Sequence, residues 1–156
     1  MSNIIANAIK EAVSEVITTY TGNNPELVGT EVRKEDFALA EISSIIGVTG
    51  EKLQGAFVVS IEKELLFKLM QILLGEAPQE LNQEALDMAG ELANMICGAF
   101  RRRFENFGTT LKASVPSMIT GKDYKIHSLC KSPRVTFKFK VDNSHLYIEF
   151  CLDKLS

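Results

Sequence analysis

Apolar residues fall on this chain in two rhythms, one helical and one alternating, and the rhythm changes at glycines. Ile5, Ile9, Ala12, Val13, Val16, Ile17 and Tyr20 recur at three- and four-residue steps. That spacing predicts an amphipathic helix from about Asn3 to Tyr20, stopped at Gly22. Residues 22–35 read as a connection with room for a short edge strand. Two strand-like runs follow, about Leu39 to Val48 and Leu53 to Ile61, with their turn at Thr49 and Gly50. A helix from about Glu62 to Leu74 comes next, with Ser60 placed to cap its start and Gly75 to end it. Asn82 reads as the N-cap of a long helix running to about Phe107, where Gly108 stops it. The remainder reads as β structure: Lys112 to Thr120 and Tyr124 to Cys130 on either side of Gly121, then Arg134 to Val141. In that last run Val135, Phe137, Phe139 and Val141 alternate with polar residues. Asp142-Asn143-Ser144 turns it into a final strand, Leu146 to Leu152.

Each half opens with a helix ended by glycine and continues into strands broken by Val-Thr-Gly (48–50) or Ile-Thr-Gly (119–121), a weak echo of a duplicated helix-plus-hairpin unit. The pattern predicts an α+β fold, one twisted and mainly antiparallel sheet with long helices packed on it. No linker-like stretch divides the chain, so residues 1–156 are expected to form a single domain.

Composition narrows the function classes. The chain has 156 residues, 46% hydrophobic and 24% charged, with a formal net charge of −3. A domain of this size builds its own core, and its charge offers no field for nucleic acid or anionic lipid. No apolar run approaches the length of a membrane span and no signal-like segment opens the chain, so the expected setting is cytoplasmic. Cys97, Cys130 and Cys151 are odd in number and share no C-x-x-C relation; with only His127 and His145 beside them, they read as three reduced thiols and not as a metal site or a disulfide.

The long helix carries the chemistry. Ala85, Met88, Ala89, Leu92, Ala93, Ile96, Phe100 and Phe104 form its broad apolar face, while Asp87, Gly90, Glu91, Asn94, Gly98, Arg101 and Arg102 lie opposite. At about 100° per residue, Asp87, Glu91 and Asn94 fall within a sector of roughly 60°. An isolated E-x-x-N is common on solvated helix faces and says little. Two interior glycines beside it say more, because each costs about 1 kcal/mol against alanine and neither lies on the core face. Bare backbone next to a polar pair suits a surface that another molecule approaches closely. Arg101 and Arg102 are candidates for an acidic partner surface, and Glu105 is spaced to pair with either. No nucleophile elbow, Gly-rich phosphate loop or H-E-x-x-H occurs, and Ser114, Ser117 and Ser132 have no histidine at a suggestive spacing. A carboxamide that orients water, as in phosphoryl transfer, then needs a partner to supply the electrophile and the metal.

The sequence Asp87-x-x-x-Glu91-x-x-Asn94 resembles the signature of the CheC/CheX/FliY chemotaxis phosphatases. The surroundings resemble the CheX branch: Gly90-Glu91-Leu92-Ala93-Asn94-Met95, Gly98, Phe104-Glu105-Asn106-Phe107-Gly108, Pro116, and Thr120 to Ile126. The likeness extends from the first helix through Ile46-Gly47-Val48-Thr49-Gly50 to the last strands, with one copy of the signature. It implies a CheC-like fold and removal of the phosphoryl group from the aspartate of a phosphorylated CheY-like response regulator. Glu91 would bridge to the receiver's lysine and Asn94 would position the attacking water. Asp87 is left open between orienting that pair and lying at the docking edge. Gly90 and Gly98 would let receiver loops approach. The chain would need no cofactor of its own, since the receiver supplies Mg2+, and it would form homodimers through its β structure. A non-catalytic adaptor of the same fold, binding a receiver or a flagellar-switch partner, is the competing expectation.

Overall fold

The computed structural model describes residues 2–33, 35, 37–127 and 130–155. Three helices cover one face of an antiparallel sheet. Along the chain these are α1 (Ser2–Thr21), β1 (Glu26–Arg33), β2 (Ile42–Gly50), β3 (Leu53–Ile61), α2 (Lys63–Leu74), α3 (Gln83–Glu105), β4 (Lys112–Ala113), β5 (Ser117–Thr120), β6 (Arg134–Val141) and β7 (Ser144–Lys154). The strand order is β1-β6-β7-β3-β2, and β4 and β5 both pair with the outer edge of β2.

That order is a two-fold repeat. A helix, an edge strand and a hairpin (α1, β1, β2–β3) are followed by a second helix, edge strand and hairpin (α3, β4/β5, β6–β7), and the hairpins meet at the β3–β7 pair. Each edge strand crosses over to pair with the other half's hairpin. The sequence echo therefore holds in topology but not in its tripeptides: Val48-Thr49-Gly50 ends a hairpin strand, whereas Ile119-Thr120 ends the edge strand β5.

Alternation along the hairpins sets the core. Ile46, Phe57, Val59, Phe137, Phe139, Ile148 and Phe150 are buried in the cluster that also takes the apolar faces of all three helices. At its centre the Phe100 ring lies 5.2 Å from that of Phe57 and 5.0 Å from that of Phe150. The side chains of α1 and α3 cross at complementary ends: Glu11 and Glu15 reach Arg103, while Tyr20 reaches Met95. The two helices consequently run antiparallel.

Several expectations need correction. The β2–β3 turn is Glu51-Lys52, with Lys52 in the left-handed region at φ 59°; Thr49 and Gly50 are still strand. Strand β2 starts at Ile42, because residues 39–41 bend before the ladder begins. Ser60 does not cap α2: its hydroxyl pairs with that of Ser43 across the ladder at 2.8 Å, and Glu62 takes the cap position without a side-chain cap. The run from Lys112 to Thr120 is two short strands, since Pro116 has no N–H to give and Ser114 bonds Gly47 in a bulge between them. Tyr124 to Cys130 is not a strand. Lys125 makes one isolated bridge to Phe37, and Ser128 and Leu129 lie outside the described residues. The long helix stops at Glu105, with Gly108 at φ 89° just beyond.

Residues 121–127 and 130–133 are instead tied to the sheet by side-chain bonds and act as a strap. Tyr124 donates its hydroxyl to the Ala40 carbonyl at 3.0 Å, and the Asp153 carboxylate accepts from the Lys131 and Ser132 amides at 2.8 and 2.7 Å. Cys130 joins Cys151 of β7 in a disulfide of 2.00 Å, so the expectation of three reduced thiols is overturned; only Cys97 is free, and it is buried. Pairing across 21 residues of chain is set by the strap's path, which cysteine spacing does not reveal. Beneath the strap Glu149 is buried, 3.5 Å from Arg33 and 3.7 Å from Arg134, with neither carboxylate oxygen in a hydrogen bond among the described residues.

Candidate active face on the long helix

Helix α3 is anchored at its start by Asn82, whose side-chain oxygen accepts from the Ala85 amide at 2.9 Å. Its apolar stripe is then driven onto the sheet: Ala85, Ala89, Leu92, Ala93, Ile96, Ala99, Phe100 and Phe104 are all buried, and Met88 half-buried. Burial of that stripe forces the opposite sector outward. Asp87, Glu91 and Asn94 are exposed there, and Gly90 and Gly98 are half-exposed.

The three polar residues are held differently. Asp87 accepts from the Gln83 amide at 2.8 Å, a brace one turn upstream that sequence reading missed, although its i, i+4 spacing is visible. Glu91 and Asn94 make no hydrogen bond or ion pair among the described residues. An acid and a carboxamide one turn apart, both solvated and both unengaged, can grip a cation and orient a water on an approaching molecule.

The flanks are built from the rest of the fold. On one side stands β5: a Cβ at Gly90 would lie 3.5 Å from Met118 Sδ, an ordinary contact. At Gly98 a Cβ would meet only the flexible end of Arg102, at 3.8 Å. The arginines turn to intramolecular partners. Arg101 donates to the Leu111 carbonyl at 3.2 Å, and Arg102 and Arg103 bind Glu15 at 2.8 and 2.7 Å. The partner foreseen for Arg101 or Arg102, Glu105, is displaced by Glu15 from the neighbouring helix. Arg103 holds the Glu15 carboxyl below the usual range by its hydrogen bond, while burial pushes the Cys97 thiol up to about 11. That thiol is no nucleophile at neutral pH.

No group of three or more His, Cys, Asp or Glu among the described residues could hold a metal ion, and no helix there is long and apolar enough to cross a membrane.

Residues 42–140 match the family model described as chemotaxis phosphatase CheX. Among curated proteins, the CheY-P phosphatase CheX of Thermotoga maritima is 26% identical over 149 residues, covering 93% of this chain and 96% of that protein. Among solved structures, the chemotaxis protein CheX from Desulfovibrio desulfuricans is 31% identical, covers 96% of this chain and 99% of that one, and superposes with a TM-score of 0.85. The CheX–CheY–BeF3–Mg2+ complex from Borrelia burgdorferi shares the fold at a TM-score of 0.77 and 18% identity, covering 96% and 97% of the two chains.

Proposed function

Because this chain belongs to the CheX family of chemotaxis phosphatases, we propose that it hydrolyses the aspartyl phosphate of a CheY-like response regulator, with α3 as the element that enters the receiver's site. The observation carrying this reading is the outward, unengaged pair Glu91 and Asn94 on a helix fixed by core packing. The relative from Thermotoga maritima is a CheY-P phosphatase, and the Borrelia burgdorferi complex joins CheX to CheY with Mg2+ and a beryllofluoride group.

The reaction is in-line substitution at phosphorus. A water oxygen bonds to the phosphorus as the aspartate oxygen leaves, giving a free carboxylate and inorganic phosphate. Asn94 contributes position: its carboxamide oxygen accepts a hydrogen from the water and aims the lone pair at phosphorus. Glu91 forms an ion pair with the receiver's lysine, docking α3 across the phosphorylation site. Asp87, braced by Gln83, lies at the edge of that docking face. The receiver carries the Mg2+ that neutralises charge on the phosphoryl oxygens. Edge strand β1, exposed over most of its length with Val28 and Val32 among its solvated side chains, pairs only with β6 among the described residues and offers its other edge to a second copy, which gives a homodimer joined through β structure. The setting is the cytoplasm, where phosphorylated receivers reside.

The test is decay of a radiolabelled phospho-receiver with and without this chain. The wild type accelerates phosphate loss; Asn94→Ala removes about a hundredfold of that acceleration while retaining binding, and Glu91→Ala loses affinity as well. A wild-type chain that binds the receiver without speeding decay would favour an adaptor and defeat the proposal.

A further inference from the structure

The exposed sector of α3 continues sideways into a groove of about 180 Å3 between α1 and α3, lined by Glu15, Val16, Thr19, Tyr20, Met95 and Arg102. Tyr20 closes one end, donating its hydroxyl to Met95 Sδ at 2.9 Å, and the Arg102–Glu15 pair closes the other at 2.8 Å. Met95 and Arg102 supply the groove's α3 wall, and Gly98 lies between them along the helix, about one turn from each.

We propose that this groove is a second recognition subsite for the same receiver, taking an aliphatic or aromatic side chain that projects beside the phosphorylation site. It rests on the reading of Glu91 and Asn94 given above. Three observations carry it. Gly98 has no intramolecular reason to be glycine: its φ is not positive, and an added Cβ finds only ordinary contact at 3.8 Å, whereas at Gly55 the carbonyl oxygen of Cys151 forbids one. The groove is continuous with the docking face, because Glu91 and Met95 are neighbours at i, i+4. A stable protein interface covers about 800 Å2 on each partner, far more than two side chains supply, so a receiver seated on Asn94 must reach the flanks of α3.

The groove's chemistry selects the occupant. Its polar groups are already satisfied: Thr19 donates to the Glu15 carbonyl at 2.6 Å, and Arg102 is neutralised by Glu15. What remains is the apolar floor of Val16, Met95 and the Tyr20 ring. Met95 is the side chain best able to adapt to an inserted group. A charged occupant would gain a partner there only by breaking the Arg102–Glu15 pair, and an apolar one would leave that pair intact.

The experiment measures two quantities on the full-length chain: the Kd for a beryllofluoride-activated, Mg2+-loaded CheY-like receiver, and kcat on the phosphorylated form. Thr19→Arg, on the α1 wall, and Gly98→Leu, between the two α3 lining residues, should each raise Kd about tenfold with kcat at saturation within about twofold of wild type. Thr19→Ala, which leaves the groove open, keeps the wild-type Kd. Thr19 is exposed, so its variants report even where Gly98→Leu fails to fold. Wild-type Kd in a folded Gly98→Leu and in Thr19→Arg overturns the groove while leaving the catalytic reading intact. A wild type that binds but does not hydrolyse defeats the catalytic reading, and Kd still decides the groove. A wild type that does not bind defeats both.

Discussion

Replacing Gly98 by alanine separates a residue kept for the fold from one kept for a partner. The position is interior to α3, its backbone is ordinary right-handed helix, and the nearest atom to a new Cβ is Arg102 Nη1 at 3.8 Å. Nothing must move to accommodate a methyl group, so the whole helix-propensity difference of about 1 kcal/mol should appear as added stability. For a domain of 156 residues that raises Tm by about 3 °C. Gly55 supplies the opposite sign: its Cβ would collide with the Cys151 carbonyl and press on Leu152 at 3.0 Å, both on the backbone of β7, so Gly55→Ala should lower Tm. Thermal unfolding followed by circular dichroism at fixed pH reads both variants. A Gly98→Ala protein that melts at or below the wild-type temperature would refute the reasoning, because it would mean the fold itself requires the glycine. A gain in stability at the residue flanking the proposed docking face is the mark of a position held back from its stability optimum.

Other consequences can be read with ordinary reagents. Denatured without reductant, the chain should titrate one thiol, Cys97, and three after reduction; three without reduction would exclude the Cys130–Cys151 bond. In the native state Cys97 should resist alkylation at pH 8, since burial holds its pKa near the value of about 11. Cys130→Ser should cost about 3 kcal/mol of unfolding free energy, the loop-closure value for a separation of 21 residues, measured by urea denaturation; an unchanged midpoint would contradict it. Burial raises the Glu149 carboxyl above the usual glutamate range, against the opposing pull of Arg134 and Arg33. A folded pKa above the unfolded one gives stability that is complete below the unfolded value and falls as pH climbs through the folded value. Glu149→Gln should therefore flatten the stability profile across that window, and an unaltered profile would assign the slope to other groups. Asn82→Ala removes the cap on the Ala85 amide and should cost about 1 kcal/mol, read as a lower urea midpoint; no change would show that another acceptor takes its place.

What the sequence made legible is what short-range physics decides. The α1 and α3 stripes, the Asn82 cap and the Gly75 stop each depend on neighbours within a turn, and each stands as expected; in β6 Phe137, Phe139 and Val141 face the core as expected, while Arg134 and Thr136 on the other face are buried too. The outward placement of Glu91 and Asn94 follows from the same geometry, since a buried stripe leaves only one sector free. What was hidden depends on chain far away. Tyr124 and Ile126 alternate as in a strand, yet the segment spends its bonds on Ala38 and Ala40 and crosses the sheet as a strap. Ser60 has the right type and place for a cap, but its cross-ladder neighbour Ser43 claims the hydroxyl. The arginines at the end of α3 look solvated until α1 is laid beside them. The groove is invisible for the same reason: its walls come from residues 15–20 and 95–102.

The repeat in the topology raises a sharper question, why two equivalent helices should carry one proposed site. Both α1 and α3 carry carboxylates on faces turned from the core, but only α3 sets an asparagine at the E-x-x-N spacing. Their antiparallel packing adds a second difference. It brings Arg102 and Arg103, from the C-terminal turns of α3, against Glu11 and Glu15 in the middle of α1. The acids of α1 are thereby engaged. Glu84, Asp87 and Glu91 of α3 sit in its N-terminal half, beyond reach of the same arginines, and Glu91 makes no ion pair among the described residues. Exposed pairs of this kind contribute about 1 kcal/mol or less each, so their effect is less to hold the helices together than to choose which helix keeps an unpaired acid. Arg102→Ala combined with Arg103→Ala should accordingly leave the melting temperature within a few degrees of wild type, measured by calorimetry. It should also let the Glu15 carboxyl titrate at its ordinary value in place of its depressed one, as followed by NMR. A Glu15 that still titrates low without those two guanidiniums would show that the asymmetry between the helices has another origin.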